Sequence, residues 1–250
     1  MTLNKKDLNL YQDREKVIVI IPAFNEEGKT VKVVQQIPRD FVDEIVVVDD
    51  GSTDKTSLEI KETGITVLHH GKRRGIGTAI RTGFEYALDK NFEIIVVMAG
   101  NGKDDPAQIP KLLEPLLNGE CDYVQGSRYI KGGYYGKMPF HRFLFTKTYS
   151  LSVRLLTGFK ITDGTNGFRA YRTSILKDRR INLFQDWLNE SLEYYLSIKV
   201  IKLGYRIKEI PITKIYPQNA SYNQYTKVKP FSGWLERIKP LFYLTIGFKK

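Results

Sequence analysis

Two adjacent carboxylates, Asp49 and Asp50, follow the apolar run Ile45-Val46-Val47-Val48 with nothing between. Charge placed directly after a buried strand is costly unless it binds something or shapes the next turn. The continuation Gly51-Ser52-Thr53-Asp54 leaves both readings open, a ligand-binding rim or a turn with a helix cap. Similar junctions recur at Pro22-Ala23-Phe24-Asn25-Glu26 after Val17 to Ile21, at Ala99-Gly100-Asn101 after Ile94 to Met98, and at Gly126-Ser127-Arg128. Carboxylates at such points can accept hydrogen bonds or a proton, and an arginine can meet an anion.

The elements that must position these residues alternate. Val17 to Ile21, Ile45 to Val48, Ile65 to Leu68, Ile94 to Met98 and Asp122 to Gln125 read as strands; Glu27 to Ile37, Lys55 to Glu62, Gly77 to Asp89 and Ala107 to Leu117 read as helices. That rhythm belongs to a parallel sheet, where ligands bind beyond the carboxyl ends of the strands and the junctions converge. After Gly126 the pattern changes. A glycine-rich turn leads into a helix, His141 to Leu156, on which Phe140, Leu144, Leu151 and Leu155 recur at helical spacing, as core or as an exposed stripe. A second helix is expected over Gln185 to Leu203, ending at Gly204, with a last strand over Tyr205 to Ile212. The final residues mix Trp234, Leu235, Phe242 and Ile246 with lysines and read as a basic amphipathic segment, residues 229–250, lying in an interface rather than docked on the domain of residues 1–228.

With 250 residues and 42% hydrophobic content, the chain can bury one large core. Its single cysteine, Cys121, excludes an internal disulfide framework and suits a reducing compartment. The polar start has no apolar leader, and no run of about 18 uncharged apolar residues occurs, so a cytoplasmic protein without a membrane-spanning helix is expected. The net charge of +11 is concentrated in two places: residues 123–162 carry seven Lys or Arg and no acid, and residues 210–250 carry seven against Glu236. Both segments are rich in aromatic and aliphatic residues, which favours a membrane surface or an anionic acceptor over a nucleic-acid groove, and no helix-turn-helix, RNP or zinc pattern accompanies the charge.

Seven short motifs then occur in a familiar order: Pro22-Ala23-Phe24-Asn25-Glu26-Glu27, Asp49-Asp50-Gly51-Ser52-Thr53-Asp54, Gly75-Ile76-Gly77-Thr78-Ala79, Asp104-Asp105-Pro106, Gly126-Ser127-Arg128-Tyr129, Asp163-Gly164-Thr165-Asn166-Gly167-Phe168-Arg169 and Gly204 to Pro211. With them the chain, over Lys16 to Lys227, resembles the family-two glycosyltransferases of GT-A fold, in the dolichyl- or polyprenyl-phosphate mannosyltransferase branch. The resemblance implies an α/β, Rossmann-like, mixed but mostly parallel sheet flanked by helices. It implies an inverting transfer from a UDP- or GDP-linked sugar to an isoprenoid phosphate at the inner face of a membrane, with room for a membrane-protein subunit. Position by position, it implies that Pro22, Phe24 and Glu26 line the nucleotide cleft, Asp50 bonds the base, Arg128 meets the diphosphate, and Asp163, followed by Arg169, stands on the acceptor side.

Three departures accompany the resemblance. The family's Asp-x-Asp is here Ala99-Gly100-Asn101, the usual Ser of the later loop is Asn166, and the Arg expected after the last strand is replaced near Pro217-Gln218. The family's Mg2+ or Mn2+ would find at Asn101 a neutral amide instead of hard anionic oxygens, which argues against the usual binding mode. Charge on the leaving diphosphate still needs compensation. Lys103 is the expected cationic substitute; the rival is a shifted metal site at Asp104 or Asp105, residues that could equally cap the Ala107 helix. For a lipid phosphate acceptor, Lys137, Arg142 and Lys147 would supply the basic face. A hydroxyl acceptor on a glycan would instead need a base such as Asp163 or Glu190, and an inactive nucleotide-binding paralogue would need neither.

Overall fold

The computed structural model describes residues 15–216 and 232–247. Its centre is β1 (Val17–Ala23), flanked by β2 (Glu44–Asp49) and β4 (Ile94–Val97), with β3 (Thr66–His69) at one edge. Beyond β4 come β6 (Arg169–Arg172), β5 (Tyr123–Ser127) and β7 (Ile207–Pro211), giving the order β3-β2-β1-β4-β6-β5-β7. Every pairing is parallel except those of β6, which runs antiparallel between β4 and β5.

The continuous apolar runs follow from burial of both sheet faces. In β1, Ile18 and Ile20 enter one core while Val17, Val19 and Ile21 enter the other, so neither side of the two-residue alternation can be polar. The first core is covered by α3 (Ile76–Asp89), α5 (Phe140–Thr157), α6 (Leu192–Lys202) and α7 (Ser232–Thr245); the second by α1 (Thr30–Gln36), α2 (Thr56–Lys61) and α4 (Ile109–Leu117). The expected mixed, mostly parallel α/β sheet with helices on both faces is what the chain forms.

Four local features depart from the sequence pattern. The short β6 lies where the sequence pattern shows no element, because a four-residue strand has no visible periodicity and is defined by its partners Ile94 to Val97 and Tyr123 to Gln125. The helix expected over Gln185 to Leu203 is broken. A single 3-10 turn, Asp186–Leu188, precedes α6, and between them the Asn189 carbonyl accepts the Gly77 amide at 2.7 Å and its side chain accepts the Thr78 hydroxyl at 3.0 Å. Backbone that would have continued the helix instead satisfies the open N-terminus of α3. On α5 the apolar stripe, open between core and surface from its spacing, faces outward: Phe140 is 76% exposed and Leu155 75%, while the buried side is Thr146, Tyr149, Ser150 and Val153. Finally, α7 is docked, with Leu241 and Leu244 buried and the Lys202 ammonium donating to the Leu244 carbonyl, yet it exposes Leu235, Phe242 and Ile246.

The contact between Gly77 and the 188–189 segment leaves no room for a side chain. A Cβ there would lie 2.1 Å from the Leu188 carbonyl oxygen and 2.9 Å from the Asn189 carbonyl carbon, both backbone atoms. Gly77→Ala is therefore expected to cost about 2–3 kcal/mol in urea unfolding, the upper range of overpacking penalties. An unchanged unfolding midpoint would show that α3 is not clamped in this way.

Candidate active site

The carboxyl ends of β1, β2, β4 and β5 open onto one cleft. Its wall includes Pro22, Phe24, Glu26, Asp50, Asn101, Lys103, Arg128, Arg142 and Glu190, all singled out from sequence, and also Lys29, Arg73, Glu193, Lys214 and Arg237. At the end nearest β2, the two adjacent carboxylates divide their tasks. Asp49 is fully buried and accepts the Ser52 amide at 3.0 Å and a His69 ring nitrogen at 2.8 Å, so it forms the turn. Asp50 reaches the cleft and accepts the Arg74 and Gly75 amides at 2.8 and 2.9 Å and a His70 nitrogen at 2.9 Å, pinning the loop that carries Arg73. The Arg73 guanidinium lies 4.5 Å from the centre of the Phe24 ring, a cation–π pair at the mouth of the pocket. Glu26 is paired with Lys29 at 2.7 Å.

The middle of the cleft is cationic. Asn101 accepts the Lys103 amide at 3.2 Å, turning the Lys103 side chain inward, where it is buried. Burial, then the neighbouring cations Arg142 and Lys214, bring the Lys103 ammonium down to a pKa of about 7. Lys214, which sequence reading missed, donates to both oxygens of Asp104 at 2.6 and 2.7 Å and lies 3.3 Å from the Asn166 side-chain oxygen. The two partners are 110 positions apart, so no local pattern could have announced them.

This corrects the shifted-metal reading. Both Asp104 oxygens are committed to a lysine, and Asp105 accepts the Ala107 amide at 3.0 Å as a cap, outside the cleft wall. Among the described residues, no three His, Cys, Asp or Glu side chains are placed to hold a metal ion. With Asp104 and Asp105 engaged elsewhere, Ala99-Gly100-Asn101 offers only a neutral amide in a wall it shares with Lys103 and Lys214, and these residues do not fit a divalent cation.

Asp163 and Arg169 also need correcting. Asp163 is 0% exposed and does not reach the cleft; its carboxylate takes the Arg128 Nε at 2.6 Å, Nη2 at 2.7 Å and backbone amide at 3.0 Å. Burial pushes this carboxyl up, but the charge and hydrogen bonds of Arg128 overrule it and hold it below the usual carboxylate range. Such a group orients Arg128, whose remaining side-chain hydrogen bonds go to the Tyr216 hydroxyl at 2.8 Å and Thr165 at 3.0 Å, and it is not placed to take a proton from an acceptor. Arg169 is equally buried and donates to the carbonyls of Asn166, Gly164 and Glu193 and to the Ser197 hydroxyl, so it ties the 163–169 loop to α6 instead of facing ligand.

The three basic residues assigned to the acceptor side separate. Arg142, in the first turn of α5, lines the cleft 5.4 Å from the Tyr216 ring, and its buried Nε has no hydrogen-bond partner among the described residues. Lys147 lies over the Tyr129 ring at 3.7 Å, and Lys137 is at the surface. Glu190 and Glu193 face the cleft, and burial raises both carboxyls above their ordinary range. The break between the 3-10 turn and α6 is what delivers Glu190 there.

Residues 18–180 match the family described as Glycosyl transferase family 2. The chain belongs to that family. It is a glycosyltransferase. Similar proteins include the undecaprenyl-phosphate mannosyltransferase of Micrococcus luteus, 32% identical over 79% of this chain and 83% of that one. They also include the polyprenol monophosphomannose synthase of Mycolicibacterium smegmatis, 31% identical over 80% and 77% of the two chains. A third, the UDP-N-acetylglucosamine–dolichyl-phosphate N-acetylglucosaminyltransferase of Methanococcus voltae, is 30% identical over 81% of this chain and 86% of its own. Among solved structures, the glucosyl-3-phosphoglycerate synthase of Mycobacterium tuberculosis superposes with a TM-score of 0.72 at 20% identity, covering 98% of this chain and 85% of that one, and so shares the fold.

Proposed function

We propose that this glycosyltransferase moves a sugar, with inversion, from a UDP- or GDP-linked donor to the phosphate of a polyprenyl lipid at the cytoplasmic face of a membrane. The observation that carries the reading is one cleft that runs from a rim at Phe24 and Asp50, through the cationic stretch of Lys103 and Lys214, to Arg142 on a helix whose outer side is apolar. Three relatives whose names carry a polyprenyl or dolichyl phosphate support the same acceptor.

In this reading Phe24, with Arg73 beside it, faces the base, and Asp50 shapes the loop around it. Arg128, locked by Asp163, and Lys103 stabilise the departing diphosphate, where fixed charge matters most. An acceptor phosphate oxygen is already anionic near neutral pH, so it attacks the anomeric carbon as the bond to the donor phosphate breaks, and the nucleoside diphosphate leaves with the electron pair. No base is required, in keeping with the removal of Asp163 from the cleft. The reading needs no separate membrane subunit. Among the described residues no helix is long and apolar enough to cross a membrane, whereas Phe140, Leu144, Leu151 and Leu155 give α5 an exposed apolar side suited to lying on one.

The test is transfer of labelled sugar from UDP- and GDP-linked donors to polyprenyl phosphate in anionic vesicles, in excess EDTA. Lipid-linked product is expected with the chelator present. Changing Phe140, Leu144 and Leu155 together to Ser is expected to lower vesicle binding and lipid product at least about tenfold, since each buried side chain contributes on the order of 1.5–3 kcal/mol, while nucleotide binding stays unchanged. Turnover confined to soluble hydroxyl acceptors and lost on Glu190→Gln would replace this reading with a glycan-extending one.

A further inference from the structure

The C-terminal helix does more than cover the core. On α7, Trp234 stacks against Phe145 at 5.0 Å and His141 at 6.3 Å, both on α5, while Leu241 and Leu244 are buried in the core that α6 shares. The helix therefore runs from the first turns of α5 toward α6, and one turn beyond Trp234 it presents Arg237 to the cleft. The Arg237 guanidinium lies 5.8 Å from the Tyr194 ring and donates to the Gly233 carbonyl at 2.8 Å. That is one bond from a group with five N–H donors. Among the described residues it makes no ion pair with Glu190 or Glu193, which share this wall and feel its charge, whereas Asp163 is paired directly with Arg128 and Asp104 with Lys214.

Arg142 reaches the same cleft from α5, with its buried Nε unpartnered among the described residues. Two guanidiniums thus arrive from two helices that Trp234 fastens together. Each fork is suited to the paired oxygens of a phosphoryl group, a geometry a lysine does not offer.

We infer that Arg237 binds a phosphoryl group in the transferase cleft, making α7 part of the site rather than an appended membrane segment. The inference rests on the proposed function, which supplies two sources of that chemistry: the donor diphosphate and the acceptor phosphate. The outward residues of α7, Leu235, Phe242 and Ile246, leave this role to its inner side.

Calorimetric titration of the full-length protein with UDP, GDP and a short, water-soluble prenyl phosphate tests it, using wild type, Arg237→Gln and Arg237→Lys. The glutamine variant keeps most of the side-chain length against Tyr194, and thermal unfolding of each variant verifies the fold. Arg237→Gln is expected to weaken at least one of these ligands about tenfold or more, the usual loss for a charged hydrogen bond, with Lys restoring only part. Loss confined to the nucleotides assigns the group to the donor; loss confined to the prenyl phosphate assigns it to the acceptor. Leu235→Ser with Phe242→Ser is expected to leave all three affinities unchanged. Wild-type affinities retained in a folded Arg237→Gln overturn the inference while leaving the proposed function intact. A wild type that binds none of the three overturns the proposed function, and this inference with it.

Discussion

Lys103→Met is expected to lower kcat for sugar transfer at least about a hundredfold, the scale on which single preorganised groups stabilise developing negative charge. The lysine lies in the cleft wall, where burial first, and then its neighbours Arg142 and Lys214, bring its pKa to about 7. That value gives the prediction a second, independent readout. A bound diphosphate favours the ammonium and raises its pKa, so above about pH 7 binding must take up a proton. The sign follows: donor affinity is flat below about pH 7 and falls as pH rises, by up to about tenfold per unit, until the pKa of the bound form is reached. An intact nucleotide sugar is the appropriate probe, because its diphosphate bridge does not itself titrate there. Calorimetry near pH 8.5 in buffers of different ionisation enthalpy should register uptake of close to one proton. Lys103→Met should abolish both the uptake and the slope. A wild-type affinity that does not change between about pH 6 and 9 would remove Lys103 from the diphosphate site.

The second large effect is on stability. Asp163→Asn is expected to cost about 3–5 kcal/mol, because it strands the buried Arg128 guanidinium without a counter-charge. The carboxyl is held below its usual range in the fold, so its contribution is complete above the unfolded-state value near pH 4 and disappears as pH falls through the folded one. The wild type should therefore lose stability on acidification below about pH 4, and Asp163→Asn should be less stable throughout the neutral range and show a shallower acid limb. Chemical denaturation across pH measures both. The double change Asp163→Leu, Arg128→Met should recover much of the stability while transfer stays low, since the cleft then lacks its guanidinium. A general base would behave in the opposite way: Asp163→Asn would keep the unfolding midpoint and lose only turnover on hydroxyl acceptors.

These two residues mark the boundary between what is written locally and what is not. Lys103 was legible because it stands two positions beyond Asn101 at the end of an apolar run, and a strand end in such a sheet points its following loop at the ligand. Pro22, Phe24, Glu26, Asp50, Arg128 and Arg142 were legible for kindred reasons, at strand ends or in the acid-free basic stretch, and all of them line one cleft. Asp163 sits just as prominently in its motif, yet it faces inward. Its burial depends on Arg128, 35 positions away, arriving from the carboxyl end of β5.

Sequence alone determined the layered α/β plan, because two-residue and 3.6-residue periodicities are imposed by the faces that must be buried, and it determined which strand ends meet. Tertiary structure decided which charges serve the ligand and which serve the fold. Lys214 neutralises Asp104 and so takes it out of any metal site, Asn189 interrupts a helix to cap another, and α7 brings Arg237 to the cleft wall. Each of these depends on pairing between distant segments. A charged side chain carries no local sign of whether its partner lies in the protein or in a ligand, and only the packing of those segments supplies the answer.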